Sequence, residues 1–416
     1  MKKNKLTLKE KILATGKKHK KKATLHSIVA IGVCVILLAS ARVFASTPPE
    51  VEFTIDENDI LFSSSMVGDL MLGRHVEEVA DQHGFEYIFK YVKPIFEQSD
   101  LTTGNYEHPV LSADEEEYDA ADKVIHLYSQ PEAVQAIEDA HFDVVSLANN
   151  HMMDYKEEGL VTTLETFGQS TVDVVGAGLD LDEAIVPYVE EINGLTVGVV
   201  GFNDVHYSDL ETVSEDDSGV LTTDPDHIAL TMRNLYDQYD PDLVIAHFHA
   251  GTEYDSAPTS RQKELIRFIA DMGADIVVGH HPHVLQSVDT YNDSFIMYST
   301  GNFIFDQGWT RTRDTVVANY QLHHDGYATL ELLPFRIFEA QPRPLTGTTG
   351  ELHKMRIFRQ LTKDTMNTES IVENDERLVF EIDHSHVIDR MNRENGQEEN
   401  VQEAVEQPEE AGSFTE

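Results

Sequence analysis

The chain has 416 residues, of which 74 are Asp or Glu and 31 are Lys or Arg, a formal net charge of −43. That length supports one large domain or two ordinary ones with a sizeable core, and it excludes collagen-like, low-complexity and small disulfide-scaffold proteins. The charge is uneven: residues 1–26 hold ten Lys against Glu10 alone, so residues 27–416 carry 73 acids and 21 bases, a net −52 that repels phosphates and excludes nucleic acid as a partner.

Residues 1–22 form a Lys-rich segment that the positive-inside rule puts in the cytoplasm. Residues 23–41 carry no formal charge; at ~1.5 Å per residue a helix there reaches about 28 Å, close to a ~30 Å hydrocarbon core. A transmembrane helix is therefore expected over 23–45, with the body outside the cell membrane. A cleaved signal peptide is the competing reading, because Ala39-Ser-Ala41 and Val43-Phe-Ala45 are small-residue cleavage patterns. The long charged start favours a retained anchor, and both readings export the body. The single cysteine, Cys34, lies inside the apolar run, so no disulfide framework or Cys-based zinc site can form. Any metal falls to His, Asn and carboxylates.

A polar, Pro-containing tether is expected over 46–60. From 61 to about 345, short β-branched runs alternate with helical patterns, the mark of a layered α/β domain. Strands are predicted at 63–68, 143–147, 172–175, 196–202, 243–248, 275–278 and 295–298. Helical spacing is read at 131–140, 157–167 and 260–272, with a helix-like stretch at 89–96. Residues 346–392 are more polar and are expected to form a peripheral subdomain. The tail, 393–416, holds eight Glu after Arg393 and no Lys or Arg, the composition of a solvated, disordered segment.

Ligand-type residues recur at the ends of the predicted strands, where open α/β sheets place their sites. Gly68-Asp69, followed by Arg74 and His75, is also compatible with an ordinary turn or helix cap. Asn105-Tyr106-Glu107-His108 reads equally as a solvated loop. Asn149-Asn150-His151, with Asp154 after it, offers neutral oxygens and a titratable imidazole, a combination with few structural uses. Alternation puts His247 and His249 on one face of their strand. Gly279-His280-His281-Pro282-His283 is the most specific pattern, since a His-x-His pair on extended backbone presents two nitrogens to a metal. A pH-sensing or adventitious cluster is its alternative. Gly301-Asn302-Phe303 and Asp306-Gln307 read as a polar tight turn. Together these residues form the mixed oxygen and nitrogen set of a dinuclear site, which stabilises attacking and leaving oxygens. The divalent metal expected is Mn, Fe or Zn rather than Ca, because imidazole is too soft for the latter.

Met66-Val-Gly-Asp69-Leu-Met-Leu-Gly-Arg74-His75, Gly104-Asn-Tyr-Glu107-His-Pro, Leu147-Ala-Asn-Asn150-His151, His249-Ala-Gly-Thr-Glu253-Tyr254, Gly279-His-His281-Pro-His283-Val-Leu-Gln286 and Gly301-Asn-Phe-Ile-Phe-Asp306-Gln307-Gly-Trp309 resemble the CapA (PgsA) family of poly-γ-glutamate capsule biosynthesis proteins. The resemblance runs on to Arg359-Gln-Leu-Thr-Lys-Asp-Thr365 and includes the Lys-rich start. It implies a calcineurin-like, metallophosphoesterase-type domain, a four-layer α/β/β/α sandwich with metals at strand ends. By motif, Asp69, Glu107, Asn150, His249, His281 and His283 would be metal ligands. His151 would be a general acid or anion-stabilising group, and Arg74 a source of local positive charge. Such phosphoesterases usually begin with Asp-x-His, but Met71 stands two after Asp69, so one ligand is missing or replaced by Glu107 or His75. The implied partners are an ATP-dependent poly-γ-glutamate ligase, integral membrane subunits of the synthase and the anionic polymer. No Gly-x-x-x-x-Gly-Lys-Ser/Thr loop is present, so the ligase chemistry lies elsewhere. An extracytoplasmic metal-dependent hydrolase, acting on a phosphoester or on the polymer, is the second reading.

A body at −52 repels itself, and salt screens that repulsion over a Debye length of about 10 Å at about 0.1 M and about 3 Å at about 1 M. Thermal unfolding of residues 47–416 should therefore shift to higher temperature as NaCl rises through that range. A flat or falling melting temperature would refute collective repulsion.

Overall fold

The computed structural model describes residues 7–20, 22–43, 59–206, 211–308, 310–365, 371–373 and 377–393. Most of the 46–60 tether and the tail beyond 393 lie outside the described residues. The helices are α1 (Leu8–Lys20), α2 (Ala23–Val43), α3 (Arg74–His83), α4 (Phe85–Phe89), α5 (Lys93–Phe96), α6 (Glu132–Asp139), α7 (Lys156–Phe167), α8 (Leu181–Ala184), α9 (Pro225–Tyr239), α10 (Ser260–Asp271) and α11 (Gly347–Leu361). The first strands are β1 (Ile60–Leu70), β2 (Leu101–Tyr106), β3 (Val144–Ser146), β4 (Asp173–Val175), β5 (Ala177–Gly178), β6 (Tyr188–Ile192), β7 (Leu195–Asn203), β8 (Gly219–Val220) and β9 (Leu243–His249). They are followed by β10 (Ile276–His280), β11 (Val288–Tyr291), β12 (Ser294–Met297), β13 (Asn302–Ile304), β14 (Asp314–His323), β15 (Tyr327–Phe338), β16 (Gln341–Pro344), β17 (Ile371–Glu373) and β18 (Leu378–Asp383).

Two compact units divide the chain, Met1–Pro49 and Glu50–Glu416. The first contains α1 and α2. Side chains of α2 are described only as far as Ile36, and among the described residues no helix is long and apolar enough to cross a membrane. The transmembrane helix expected over 23–45 thus has no support from the structure.

In the second unit, a ten-stranded sheet runs β17-β18-β15-β14-β1-β2-β3-β4, with β13 paired to β1 and β16 to β15. A six-stranded sheet runs β11-β12-β10-β9-β7-β6. Within the first, β1, β2, β3 and β4 are mutually parallel; within the second, β7, β9, β10 and β12 are. Strands in the middle of such sheets are covered on both faces and read as continuous apolar runs, as Leu243-Val-Ile-Ala and Ile276-Val-Val do. Alternation sorts their side chains into two cores. Leu243, Ile245, Ile276 and Val278 pack between the sheets against Phe62, Met66 and Phe295, whereas Val244, Ala246 and Val277 pack outward with Ile228 and Leu235 of α9 and Ile266 and Ile269 of α10. On the other outer face, Val67 and Leu70 of β1 pack with Val76, Ile137 and Leu160 of α3, α6 and α7. The result is the mixed α/β fold expected from the sequence, in α/β/β/α layers.

Two departures from the predicted elements have plain causes. The 89–96 stretch splits into α4 and α5, with Pro94 in the first turn of the second. After it comes β2, a fully buried central strand that the sequence hides because it carries Thr102, Thr103 and Asn105. Two of those side chains find partners on other strands, Thr103 Oγ1 lying 2.7 Å from His247 Nε2 and Asn105 Nδ2 donating to Asp69 Oδ1 at 2.9 Å, while the Thr102 hydroxyl is buried without one and its amide donates to Asp143 Oδ2. Segment 346–392, expected as peripheral, adds β18 antiparallel to β15 and sends Ile357, Phe358 and Leu361 into the intersheet core.

The C-terminal end of the described chain is fastened by Asp275, at the start of β10. Its carboxylate accepts from the Val244 amide at 2.8 Å, lies 2.7 Å from His386 Nε2, and takes two guanidinium N–H groups of Arg390 at 3.0 and 3.1 Å. Burial alone would raise its pKa, but His386 and Arg390 outweigh that and hold it below the usual carboxylate value. Because the folded-state pKa is depressed, this contribution to stability is complete above the ordinary Asp pKa and is lost as acid takes pH below it. Asp275→Ala leaves Arg390 without its counter-charge and should cost about 3 kcal/mol in urea unfolding at neutral pH. A loss under about 0.5 kcal/mol, the scale of exposed pairs, would contradict this role.

Candidate metal centre

The parallel strands of both sheets end at the same edge of the sandwich, and the ligand-type residues sit there. Asp69 is the penultimate residue of β1, Asn105 lies near the end of β2, His249 ends β9 and His280 ends β10. Two glycines make the approach possible. A Cβ on Gly68 would stand 1.8 Å from the Gly301 carbonyl oxygen, and one on Gly279 would stand 2.1 Å from the Tyr298 oxygen. With no side chain at 68, the Asp69 amide reaches Gly301 O at 3.0 Å, where β1 bulges and β13 joins it. His281 and His283 hold φ of 92° and 55°, the left-handed region that non-glycine residues rarely adopt. Such backbone persists only where its surroundings enforce it, and it concentrates at functional sites.

Asp69 is fully buried at the centre of the group. Asn105 Nδ2 donates to its Oδ1 at 2.9 Å, and His283 Nδ1 stands 3.1 Å from its Oδ2. His280 Nδ1 is 3.3 Å from Oδ1, close but without hydrogen-bond alignment. Behind it runs a buried chain in which His280 Nε2 meets His247 Nδ1 at 2.8 Å and His247 Nε2 meets Thr103 Oγ1. With His280 Nδ1 carrying its proton toward Asp69, its Nε2 accepts from His247, whose Nε2 then accepts from the Thr103 hydroxyl. Burial works against charge on Asp69, yet the contacts from His280 and His283 outweigh it and hold the carboxyl well below its usual range.

Glu107 is the second carboxylate of the cluster. It follows β2 directly, its Oε2 is 3.4 Å from Asn105 Nδ2, and its Oε1 lies 3.5 Å from His283 Nε2. Burial first, then the negative charge of Asp69, pushes its pKa well up. Among the described residues, Asp69, Glu107 and His283 each bring a ligand atom within 4.8 Å of the others. Met71, where an Asp-x-His motif would put imidazole, is buried in the outer core. His75 is half exposed and pairs with Glu78 at 2.9 Å. Of the two alternatives for the missing ligand, Glu107 is the one that stands beside Asp69.

Asn150, His249 and His281 adjoin this group. His249 Nδ1 lies 3.3 Å from Asn105 Nδ2 and its Nε2 is 2.8 Å from Asn150 Oδ1, so Nδ1 accepts and Nε2–H donates. The His281 ring is 5.0 Å from that of His249 and 6.0 Å from that of His283. Burial, then the neighbouring imidazole, lowers the pKa of both His249 and His281, the latter to about 3. Both rings are thus neutral at physiological pH, the form that binds metal. His151 Nδ1 sits 2.8 Å from Asp154 Oδ2, and Lys123 pairs with the other oxygen of that carboxylate. Arg74 reaches the rim, where its Nε donates to Asp306 Oδ2 at 3.0 Å and its guanidinium lies 5.9 Å from the centre of the Phe305 ring.

Four further residues, outside the expected set, support the site. Asn105 bridges the carboxylates, His280 faces Asp69, Asn302 Oδ1 lies 2.8 Å from His283 Nδ1, and Lys123 neutralises Asp154. Asn105, His280 and Asn302 lie inside motifs that were visible, but Lys123, in an irregular stretch, has no such signal.

The donor set fits a divalent cation. Glu107 Oε1 and His281 Nδ1 are buried without hydrogen-bond partners, a costly state for polar atoms that a cation beside them would relieve. Carboxylate oxygens mixed with imidazole suit Mn, Fe or Zn.

Layers of helix and parallel sheet with a buried carboxylate and imidazole cluster at the strand ends define the chain as an α/β protein whose cluster could hold a metal ion. Comparison with known proteins then places it. The profile described as "Bacterial capsule synthesis protein PGA_cap" matches residues 63–307. The chain is 40% identical over 394 residues to the capsule biosynthesis protein CapA of Bacillus anthracis, covering 94% of each. It is 42% identical over 385 residues to the PGA biosynthesis protein CapA of Bacillus subtilis, covering 92% of this chain and 98% of that one. A 5′-nucleotidase from Candida albicans aligns in three dimensions with a TM-score of 0.36 and 12% identity, over 66% of this chain and 49% of that one. The chain belongs to the PGA_cap family of bacterial capsule synthesis proteins.

Because Glu107 is held toward its protonated form and ligation needs the carboxylate, metal binding should release a proton and tighten as pH rises. Calorimetric titration with Mn²⁺ or Zn²⁺ in buffers of different ionisation heat measures that release. A binding heat independent of buffer would contradict it.

Proposed function

We propose that the protein is a membrane-anchored, extracytoplasmic accessory subunit of the apparatus that makes and exports a poly-γ-glutamate capsule. It would work beside an ATP-dependent ligase and integral membrane subunits, with the polymer as the anionic species it handles. Similarity to two Bacillus CapA proteins over more than nine-tenths of the chain is the observation that carries this reading. The anchor rests on the uncharged run in α2, whose Leu25, Ile28, Ile31 and Ile36 are exposed, and on the Lys-rich segment before it.

The domain is read as metallophosphoesterase-like, with Asp69, Glu107 and His283 holding one divalent ion and Asn150, His249 and His281 able to hold a second. Such ions supply Lewis-acid stabilisation of negative oxygen. Chain residues set the surroundings. Thr103, His247 and His280 buttress Asp69 from behind, and Asn302 orients the His283 ring. Asp154 accepts the Nδ1 proton of His151 and orients the ring, so that Nε2 takes up a proton, or gives one to an anionic group when the ring is the imidazolium, a form that burial disfavours and Asp154 favours. This His151–Asp154 pair also supports the second reading, a metal-dependent hydrolase of a phosphoester or of the polymer, since orientation of an imidazole by a carboxylate is the usual build of a general acid.

Replacing both His281 and His283 with Ala should lower bound metal and abolish complementation of polymer production in a strain lacking the gene, while the folded domain persists on its own cores. Full metal content with full polymer output would contradict the proposal. His151→Ala that retains metal and polymer output but loses hydrolysis in a phosphodiester and polyglutamate screen would favour the hydrolase.

A further inference from the structure

In a body with so large an excess of acid, basic residues gather in one place. A cavity of ≈ 280 Å³ is lined by Arg311, Arg356, Arg359 and Lys363, with Asp314 as the one carboxylate on its wall. Asp314 is already committed: Arg336 donates to it, and Arg356 donates through Nε and Nη2 at 2.8 and 2.6 Å. Among the described residues, Arg311, Arg359 and Lys363 have no acidic partner, although acids outnumber bases 74 to 31 along the chain. Chance distribution in such a composition would pair them first.

Cations near the C-terminus of α11 have an ordinary explanation, since Arg359 and Lys363 complement the helix dipole. That does not account for Arg311, which comes from the turn before β14 and faces the same cavity. Arg356, Arg359 and Lys363 follow one another at three- and four-residue steps, so they share one side of the helix and its C-terminal extension. The helix is fixed in place by Gln360, whose amide donates to Ser256 O at 2.7 Å, and by Ile357 in the intersheet core. The cations therefore stand on a rigid support.

The cavity is tied to the candidate metal centre through neighbouring residues of the chain. Val284 and Leu285 on its wall directly follow His283. Arg311 lies beside Thr312, whose carbonyl accepts from the Asn302 amide that orients His283.

We infer that this cleft is a binding subsite for the carboxylates of a glutamate polymer, held by Arg311, Arg359 and Lys363, with Arg356 supporting through Asp314. Guanidinium forks match carboxylates in two-pronged geometry, and several cations in a row suit a ligand that repeats its charge. An isolated phosphate would need only one or two of them. The cationic cleft stands on the structure alone, while the identity of the polymer rests on the function proposed above.

The test is binding of a fluorescent γ-linked glutamate oligomer to the full-length protein in detergent at low salt, with inorganic phosphate as competitor. The triple variant Arg311→Ala, Arg359→Ala, Lys363→Ala should bind roughly tenfold more weakly, with unchanged metal content and melting temperature, and Lys at the two Arg positions should restore part of the loss. Affinity within about twofold of wild type, the size of a single weak exposed pair, would overturn the assignment. So would no binding to wild type, or displacement of the oligomer by an equal charge concentration of phosphate. Capsule complementation by the same wild-type chain is scored separately, so failure of the subsite is distinguishable from failure of the capsule role.

Discussion

The site is organised around one buried carboxylate. Asp69 carries its negative charge fully inside the protein, where an unpaired charge is intolerable. Its neighbours follow from that constraint: Asn105 donates to it, His283 meets it from the loop after β10, and the Thr103–His247–His280 chain backs it from beneath. These partners come from both sheets, so the charge can be satisfied only when the sandwich is assembled and its strand ends meet. Glu107, forced beside it, takes the opposite protonation tendency for the same reason. Two carboxylates driven apart in pKa, with the neutral imidazoles of His249 and His281 beside them, form a donor set suited to a cation.

The second theme is charge at larger scale. A strongly acidic domain is poorly suited to approach a polyanion, and long-range attraction does not help it. Local positive charge has to be built in: the structure shows a cationic cleft supported by α11, and the ligand-type groups at the strand ends would add to it on holding a divalent ion. Arg74, expected from the sequence to serve the same end, is largely neutralised by Asp306 at the rim. Segment 346–392 therefore matters beyond completing the sheet, since it supplies Arg356, Arg359 and Lys363, three of the four cations of the cleft.

Much of this was legible in the sequence. Apolar runs ending in Asp, Asn or His marked β1, β3, β9 and β10, and alternation put His247 and His249 on one face, which the structure turns toward the other sheet. Asp69, Glu107, Asn150, His249, His281 and His283 do come together at one edge. Three things were not legible. Strand β2 was hidden because its polar residues are buried against partners far away in sequence. The roles of Asn105 and His280 depend on which atoms they face, which no spacing reveals. The Arg311 to Lys363 cleft joins residues from a turn and a helix, and a chain-wide count of acids conceals a local excess of base.

The claim that Asp69, Glu107 and His283 hold a divalent cation is tested most directly by anomalous-difference crystallography of the purified protein at the absorption edges of Mn, Fe and Zn. A peak in bonding contact with those three side chains is the expected result. Absence of any anomalous peak there in crystals grown with saturating metal, or metal bound only elsewhere, would contradict it.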